Sequence, residues 1–480
     1  MSHTPVFPAW CSRFNRAGPR VRTALTSLRR CTLDQVEAQF APLLAGLAAL
    51  SFEAASARER PYSVRRTWWC FLWQSLQVNA SCREVVRQLQ AMFVAEGHRR
   101  VDGRTGAYCQ ARARLPESLL EEALRVSGHS ADWRVAASSA LQGRPLKVID
   151  GTTLALPDTK ANQRDYPQPK SQKPGCGFPL LNLLVIWSAR GAAVVDYVLG
   201  DHHHSEMRLL HQLCPKLTKD DITLYDRAAG HYVACAMVRA QQADLISRVS
   251  IRRIDWRRGR RLGPDERLVD WPKSHQKSPY MTDEEWAALP DKITVRVVRV
   301  RVQQAGFRTR ELILVTTLLD AVAYPASEIA AAYLRRWRVE MCLDDLKTIL
   351  GLETLRCKTP AMVRRELLTL LVTHNLIRAV MAQAAEDHAV PLERISFKGT
   401  LDTIRIFCTA CASTLQASRR RLLWTQMLRT IAEDLLPLRP DRWEPRAVKR
   451  RPKTYPPLNR PRHLYIQLRH GSRYRRPSKT

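Results

Sequence analysis

The spacing of apolar residues changes character several times along the chain. Up to about residue 140 it is helical, most densely where Trp68, Trp69, Phe71, Leu72 and Trp73 crowd one segment. Ser81-Cys-Arg-Glu84 sets a hydroxyl three residues before a carboxylate, the pattern of a capping box, and predicts the start of a further helix. From Lys147 the pattern turns to short apolar runs, 146–149, 180–187, 192–199 and 222–225, with a helix-like stretch from Glu206 to Leu213 before the last. Short apolar runs between turn residues predict strands, and strands interleaved with helices predict a mixed α/β layer. A break rich in Arg and Pro follows around Arg257 to Lys277. Strong alternation in Ile293 to Val302 and Glu311 to Thr317 then predicts a β insertion. Helical periodicity resumes at Ser327 and lasts to about Leu436. Within it, Leu367 to Ile377 is the most apolar stretch. It contains Thr369, Thr373, His374 and Asn375 and falls short of the ~20 residues that span a bilayer, so it reads as a buried helix and no membrane association is expected.

Charge narrows the function. Of 480 residues 45% are apolar, enough for a large core, yet 77 Lys and Arg face 45 Asp and Glu, a formal net charge of +32. Such an excess repels itself unless a polyanion relieves it, which points to nucleic acid. Cations gather with prolines in the last segment, Arg439 to Thr480, which should be an extended arm. It can follow a phosphate backbone with Trp443, Tyr455 and Tyr465 available for stacking. Arg65, Arg66, Arg83 and Arg87 flank the N-terminal helices, where they suit DNA-end recognition or form a solvated basic face. The N-terminus is basic but has no apolar run of a signal peptide, so a cytoplasmic, nucleoid-associated protein is expected. Twelve scattered cysteines read as reduced thiols, and the Cys408-x-x-Cys411 pair, with no second pair at zinc spacing, as core thiols. No Gly-rich phosphate loop occurs, which argues against nucleotide hydrolysis.

Three acids stand out. Asp150 ends the run Lys-Val-Ile-Asp before Gly151-Thr-Thr, and Asp226 ends Ile-Thr-Leu-Tyr-Asp before a turn into a helix. Acids at the C-terminal ends of neighbouring strands can share hard divalent cations; alone, either is more often a turn former or helix cap. The third lies in the predicted helix from Tyr333 to Lys347. At ~100° per residue Tyr333, Arg336, Glu340 and Lys347 fall within about 60° of one another. Val339, Leu343, Leu346 and Leu350 form the adjoining apolar stripe. Glu340 would then join the two Asp residues while Arg336 and Lys347 project towards phosphates and Tyr333 adds a hydroxyl contact. His202, His203 and His204 look like a metal cluster, but consecutive side chains diverge. Glu206 could hydrogen-bond near the acids.

These residues carry a resemblance. Tyr333-x2-Arg336-x3-Glu340-x6-Lys347 resembles the Y-R-E-K signature of bacterial cut-and-paste insertion-sequence transposases of the DDE class. Asp150-Gly-Thr-Thr with Pro157-Asp-Thr159, Gly175-x-Gly-Phe-Pro179 and Tyr225-Asp-Arg227 are similar to that family's earlier acidic motifs, in order. The tail from Arg439 to Pro452 is similar to its C-terminal segment. The resemblance implies an RNase H-like core interrupted by a β insertion, with a helical N-terminal domain and a basic C-terminal arm. The expected parts are 1–140, helical and DNA-end-binding; 141–255, first part of the core; 256–318, β insertion; 319–436, helical completion of the core; and 437–480, the basic tail. It also implies two Mg²⁺ ions, replaceable by Mn²⁺, on Asp150, Asp226 and Glu340. Tyr333, Arg336 and Lys347 would lie on element-end phosphates; Trp256 or Trp271 in the insertion could stack on a flipped base, although ordinary packing is the better expectation for either. In similar enzymes nicking, hairpin formation, hairpin opening and strand transfer follow one another on double-stranded DNA, terminal repeats and target alike, within a homodimeric synaptic complex. A catalytically inactive DNA-binding derivative and an RNase H-like nuclease without strand transfer are the alternatives. A structural RNA-binding protein is disfavoured, because carboxylates aimed at phosphates repel without metal.

Overall fold

The computed structural model describes residues 61–77, 79–95, 100–250, 254–301, 311–412 and 417–438, with Pro461 and Leu464. The expected basic arm with Trp443, Tyr455 and Tyr465 lies outside the described residues. The chain divides into two compact units. One comprises 1–136, 190–193 and 368–438; the other comprises 137–189, 194–367 and 439–480. The sequence expectation kept 319–436 together as part of the core, whereas its segment 368–436 groups with the N-terminal helices.

The helical unit opens with α1 (Val64–Leu76), α2 (Cys82–Ala95), α3 (Gly106–Arg114) and α4 (Glu117–Trp133). Trp68, Trp69, Phe71 and Leu72 are buried, as their crowding implied. Both arms of the capping box form at the start of α2: the Glu84 N–H donates to Ser81 Oγ at 3.3 Å and the Ser81 N–H to Glu84 Oε2 at 2.5 Å. Gln74 ties α1 to α3, its Oε1 accepting from the Tyr108 hydroxyl at 3.0 Å and Arg112 Nη1 at 3.3 Å. Arg65, Arg83 and Arg87 are exposed, whereas Arg66 lies over the Phe93 ring.

The second unit is built on one sheet. Its elements are β1 (Leu146–Ala155), α5 (Lys160–Asp165), β2 (Leu180–Ser188), β3 (Val194–Asp201), α6 (Glu206–Leu213), β4 (Ile222–Tyr225), α7 (Tyr232–Ala240) and β5 (Asp244–Val249). They continue through β6 (Arg260–Gly263), β7 (Glu266–Pro272), α8 (Asp283–Ala288), β8 (Lys292–Arg301), β9 (Glu311–Thr316), α9 (Ala326–Leu334) and α10 (Arg336–Asp344). The strand order is β3-β2-β1-β4-β5-β9-β8-β7-β6. β1 runs antiparallel to β2 but parallel to β4, and β4 parallel to β5. Every residue of β4 is buried, which suits a central parallel strand covered on both faces. The alternating segments form β8 and β9, but not a separate body: β9 pairs antiparallel with β5, so the insertion extends the same sheet. The stretch read as an Arg- and Pro-rich break forms the β6–β7 hairpin at the outer edge, where exposed Arg260 and Arg261 discourage pairing with another chain.

The chain then enters α11 (Pro360–Asp387), α12 (Phe397–Ala412) and α13 (Ala417–Glu433). By length and composition α11 could cross a membrane, but its most apolar window is 94% buried inside the protein, as in a core helix. Several of its buried polar groups are paired: Asn375 Nδ2 donates to the Leu124 carbonyl and Ser127 Oγ, each at 3.3 Å, and Arg378 Nε to the Gly191 carbonyl at 3.0 Å.

One buried charge anchors the sheet extension. Arg296 on β8 is fully buried, its Nε and Nη2 donating to Glu266 Oε2 on β7 at 3.0 and 2.5 Å and its Nη1 to the carbonyls of Tyr324 at 2.6 Å and Asp320 at 3.3 Å. Removing the carboxylate strands a guanidinium that cannot reach water. Glu266→Ala is expected to cost about 3 kcal/mol, visible as a lower denaturation midpoint, whereas Lys292→Ala on an exposed pair with Asp270 should cost under about 0.5 kcal/mol.

Candidate active site

β1 and β4 are paired in parallel with Val148 opposite Leu224. Asp226 directly follows the end of β4, and the same register carried on would set it beside Asp150. β1, however, does not end there as the sequence suggested, since Asp150 stands opposite Val185 of β2 and the strand continues through Gly151 and the two threonines to Ala155. Each acid is fixed by its own neighbourhood. The Gly151 N–H donates to Asp150 Oδ1 at 2.9 Å. Asp226 caps the 3₁₀ turn Arg227–Ala229, its Oδ1 accepting the Ala228 N–H at 2.7 Å, and its carbonyl accepts the Ser247 hydroxyl of β5 at 2.5 Å.

The helix carrying the third acid is interrupted. α9 ends at Leu334, α10 begins at Arg336, and Asp345–Ile349 is a π-helical turn. The apolar stripe is where it was expected, with Val339, Leu343, Leu346 and Leu350 buried. The polar stripe is not continuous, since a π turn has more residues per turn and rotates Lys347 away from the angle a regular helix would give it. Lys347 makes no hydrogen bond or ion pair among the described residues. Arg336 departs further from expectation. It is 9% exposed, its Nη2 donates to Glu340 Oε1 at 2.8 Å, and its Nη1 stands 3.8 Å from Asp150 Oδ2. The guanidinium that was expected to project towards phosphates therefore links the first and third acids. Tyr333 is buried beside it at 4% exposure. Burial, opposed by Arg336 and reinforced by Asp226, raises the Tyr333 hydroxyl above its ordinary range.

Glu206, the first residue of α6, accepts a hydrogen bond from the hydroxyl of buried Tyr225, the residue before Asp226, at 2.8 Å. Burial raises its carboxyl, the Tyr225 bond opposes this, and Asp226 adds to it. The sequence missed β5 and with it Arg248, which with Arg227, Ser250 and Glu311 lines a cleft of about 190 Å³. The hint was Arg227 directly after the second acid. His204 is engaged by Asp201, Nδ1 to Oδ1 at 2.7 Å, while the His202 and His203 rings lie against one another. Arg299 covers the Trp256 ring, and Trp271 packs against the sheet core. Cys408 is buried; the side chain of Cys411 lies outside the described residues.

The donor set suits a hard cation. It is three carboxylates, oxygen ligands of the kind Mg²⁺ and Mn²⁺ take. Asp150 is pushed up to about 6, chiefly by burial, with Glu340 and Asp226 adding to the rise and the Gly151 N–H and Arg336 opposing it. A bound cation would relieve that burial and repulsion. Among the described residues no three acidic, His or Cys side chains surround a common point as they stand, so Glu340 must turn from Arg336 to complete such a set.

Residues 141–376, which include all nine strands found among the described residues and the three acids, match the family described as the transposase DDE domain. The chain carries a transposase DDE domain. Such a domain makes it a phosphoryl-transfer enzyme. Among curated relatives, the transposase InsG for insertion sequence element IS4 of Escherichia coli (strain K12) is 26% identical over 420 residues, covering 83% of this chain and 88% of that one. The putative transposase InsL for insertion sequence element IS186A of the same strain is 26% identical over 288 residues, covering 52% and 72%. Among solved structures, a piggyBac transposase synaptic complex with hairpin DNA aligns with a TM-score of 0.40 and 8% identity, over 85% of this chain and 86% of that one.

In the metal-free transposase the raised Asp150 has a measurable consequence. Its folded pKa of about 6 exceeds the ordinary 3.8, so between these values the folded chain holds a proton that the unfolded chain releases, and stability falls as pH rises through that window. The penalty is complete above pH ~6 and absent below pH ~4. Asp150→Asn, denatured in chelator, is expected to be more stable than wild type at pH 8 by on the order of 2 kcal/mol, with the gain vanishing near pH 4. An equal gain at both pH values would show that titration of Asp150 is not its source.

Proposed function

We propose that this enzyme is the transposase of an insertion sequence, cleaving double-stranded DNA at the element's ends and transferring the freed strands into target DNA. The observation that carries the proposal is that Asp150 on β1 and Asp226 just past the end of its parallel neighbour β4 are close enough to repel, with Glu340 linked to Asp150 through Arg336, inside the matched DDE domain. The order β3-β2-β1-β4-β5, with β2 antiparallel to its neighbours, supports an RNase H-like core to which β9-β8-β7-β6 is the added part. The relative whose name is that of an IS4 transposase aligns over most of both chains, which supports the same assignment.

Asp150, Asp226 and Glu340 would hold the divalent ions, Mg²⁺ in the cell with Mn²⁺ as a substitute. Bound ions supply nucleophile activation and charge neutralisation for in-line displacement at phosphorus. The chain's own groups do the positioning. The Gly151 and Ala228 amides fix one oxygen of each Asp and leave the other to ligate. Ser247 holds the backbone at Asp226, and Glu206 accepts from the hydroxyl of the preceding Tyr225. Arg336, Tyr333 and Lys347 are assigned to the phosphates of the element end, and the exposed Arg65, Arg83 and Arg87 to the DNA flanking it. Two ends must be cut together, so a homodimer on DNA is the expected active form.

A nuclease would share every one of these features, since hydrolysis and strand transfer differ only in the nucleophile. The test is cleavage and joining of a DNA fragment bearing the ends of the encoding element. Wild type should give Mg²⁺-dependent products joined to target DNA, and Asp226→Asn and Glu340→Gln should each lose at least about a thousandfold in rate with folding intact. Cleaved but never joined products would favour the nuclease. End binding without any metal-dependent product would mark an inactive derivative.

A further inference from the structure

Arg336 is committed to the acids on one side and unsatisfied on another. Its Nη2 is bonded to Glu340 Oε1 and its Nη1 faces Asp150, whereas its Nε is buried and has no hydrogen-bond acceptor. A buried guanidinium donor without an acceptor is costly and points to an anionic oxygen that belongs there. Glu340, by contrast, has a side chain 54% exposed, free to swing once released. We propose that Arg336 is a positioning residue that holds Glu340 out of the metal set in the DNA-free enzyme and hands it over when a DNA phosphate takes the guanidinium.

The reasoning is electrostatic and rests on Glu340 being the third metal ligand. Three carboxylates drawn together repel, and in the absence of a divalent ion Arg336 offsets that repulsion. The guanidinium and an incoming cation compete for the same oxygens and repel each other, so a metal ion drives Arg336 out. The planar fork, with Nε already unpaired, then offers two parallel donors to a phosphate. Metal and DNA must consequently favour one another's binding by the same factor. An enzyme so arranged assembles its full ligand set only where DNA is in place.

The test is Mn²⁺ binding by calorimetry to the full-length, DNA-free protein, with thermal unfolding in chelator as the folding check. Arg336→Gln removes the competing charge and should bind Mn²⁺ about three- to tenfold more tightly than wild type, while Lys347→Gln, which removes a cation not bonded to Glu340, should change affinity by less than about twofold. Arg336→Lys keeps the charge without the fork and should fall between wild type and Arg336→Gln, so it serves if the glutamine variant is poorly folded. Affinity in Arg336→Gln equal to or weaker than wild type, or an equal gain in Lys347→Gln, would overturn the handover. Glu340→Gln separates the two readings. Weakened Mn²⁺ binding in that variant keeps Glu340 as a ligand whatever Arg336 does, and unchanged binding removes both ideas. A second measurement reads the coupling itself: anisotropy of a fluorescent duplex should show tighter DNA binding by wild type with Mn²⁺ than in chelator, a ratio that falls to about one in Arg336→Gln. A ratio unchanged by the substitution would contradict it.

Discussion

Burial of a carboxylate is the constraint behind the architecture around Asp150 and Asp226: Asp150 is held largely out of water within β1, and Asp226, just past the end of the parallel strand β4, adds repulsion to it. Their separation is set by backbone pairing between β1 and β4, which side-chain motion cannot relax. The protein answers with donors from several directions: the Gly151 and Ala228 amides, the Ser247 hydroxyl on the adjoining backbone, and the Arg336 guanidinium. Burial still leaves Asp150 at about 6, so the edge remains poised for a cation. A rigid pair of acids with a mobile third is a physical route to a site whose affinity depends on what else is bound.

The sheet extension belongs to this arrangement through hydrogen bonds rather than proximity. β9 pairs with β5, β5 carries Ser247, and Ser247 holds the carbonyl of Asp226. Strain applied to β6–β9 would thus reach the second acid through one continuous ladder, and the buried Arg296–Glu266 pair keeps the outer strands in register. The same strand β5 brings Arg248 into one cleft with Arg227, the residue that follows the second acid, and with Glu311 of β9.

The sequence made much of this legible because apolar runs and helical spacing are local signals, although β1 continues through Gly151-Thr-Thr where a turn was expected after Asp150. β4 and α6 were predicted with the bounds they have, and the capping box at Ser81 forms as its spacing implied. Three things escaped for identifiable reasons. β5 is a short apolar run directly after α7 and has no turn signal to set it apart, so Ser247 and Arg248 went unnoticed. β6 and β7 carry edge-strand arginines and a terminal proline, which mimic a loop. The helix from Tyr333 to Lys347 has apolar spacing that cannot reveal a π turn, so Lys347 was placed on a stripe it does not occupy, and the inward rotamer of Arg336 is a tertiary outcome that no spacing predicts.

The most direct test of the central claim is a crystal structure of the enzyme with a duplex bearing its element end, soaked in Mn²⁺ and measured for anomalous scattering. The account predicts manganese peaks bridging Asp150 and Asp226, with the Glu340 carboxylate turned into the same set and the Arg336 guanidinium on a DNA phosphate. Manganese at other residues, or Glu340 still bonded to Arg336 with the metal fully occupied, would contradict it.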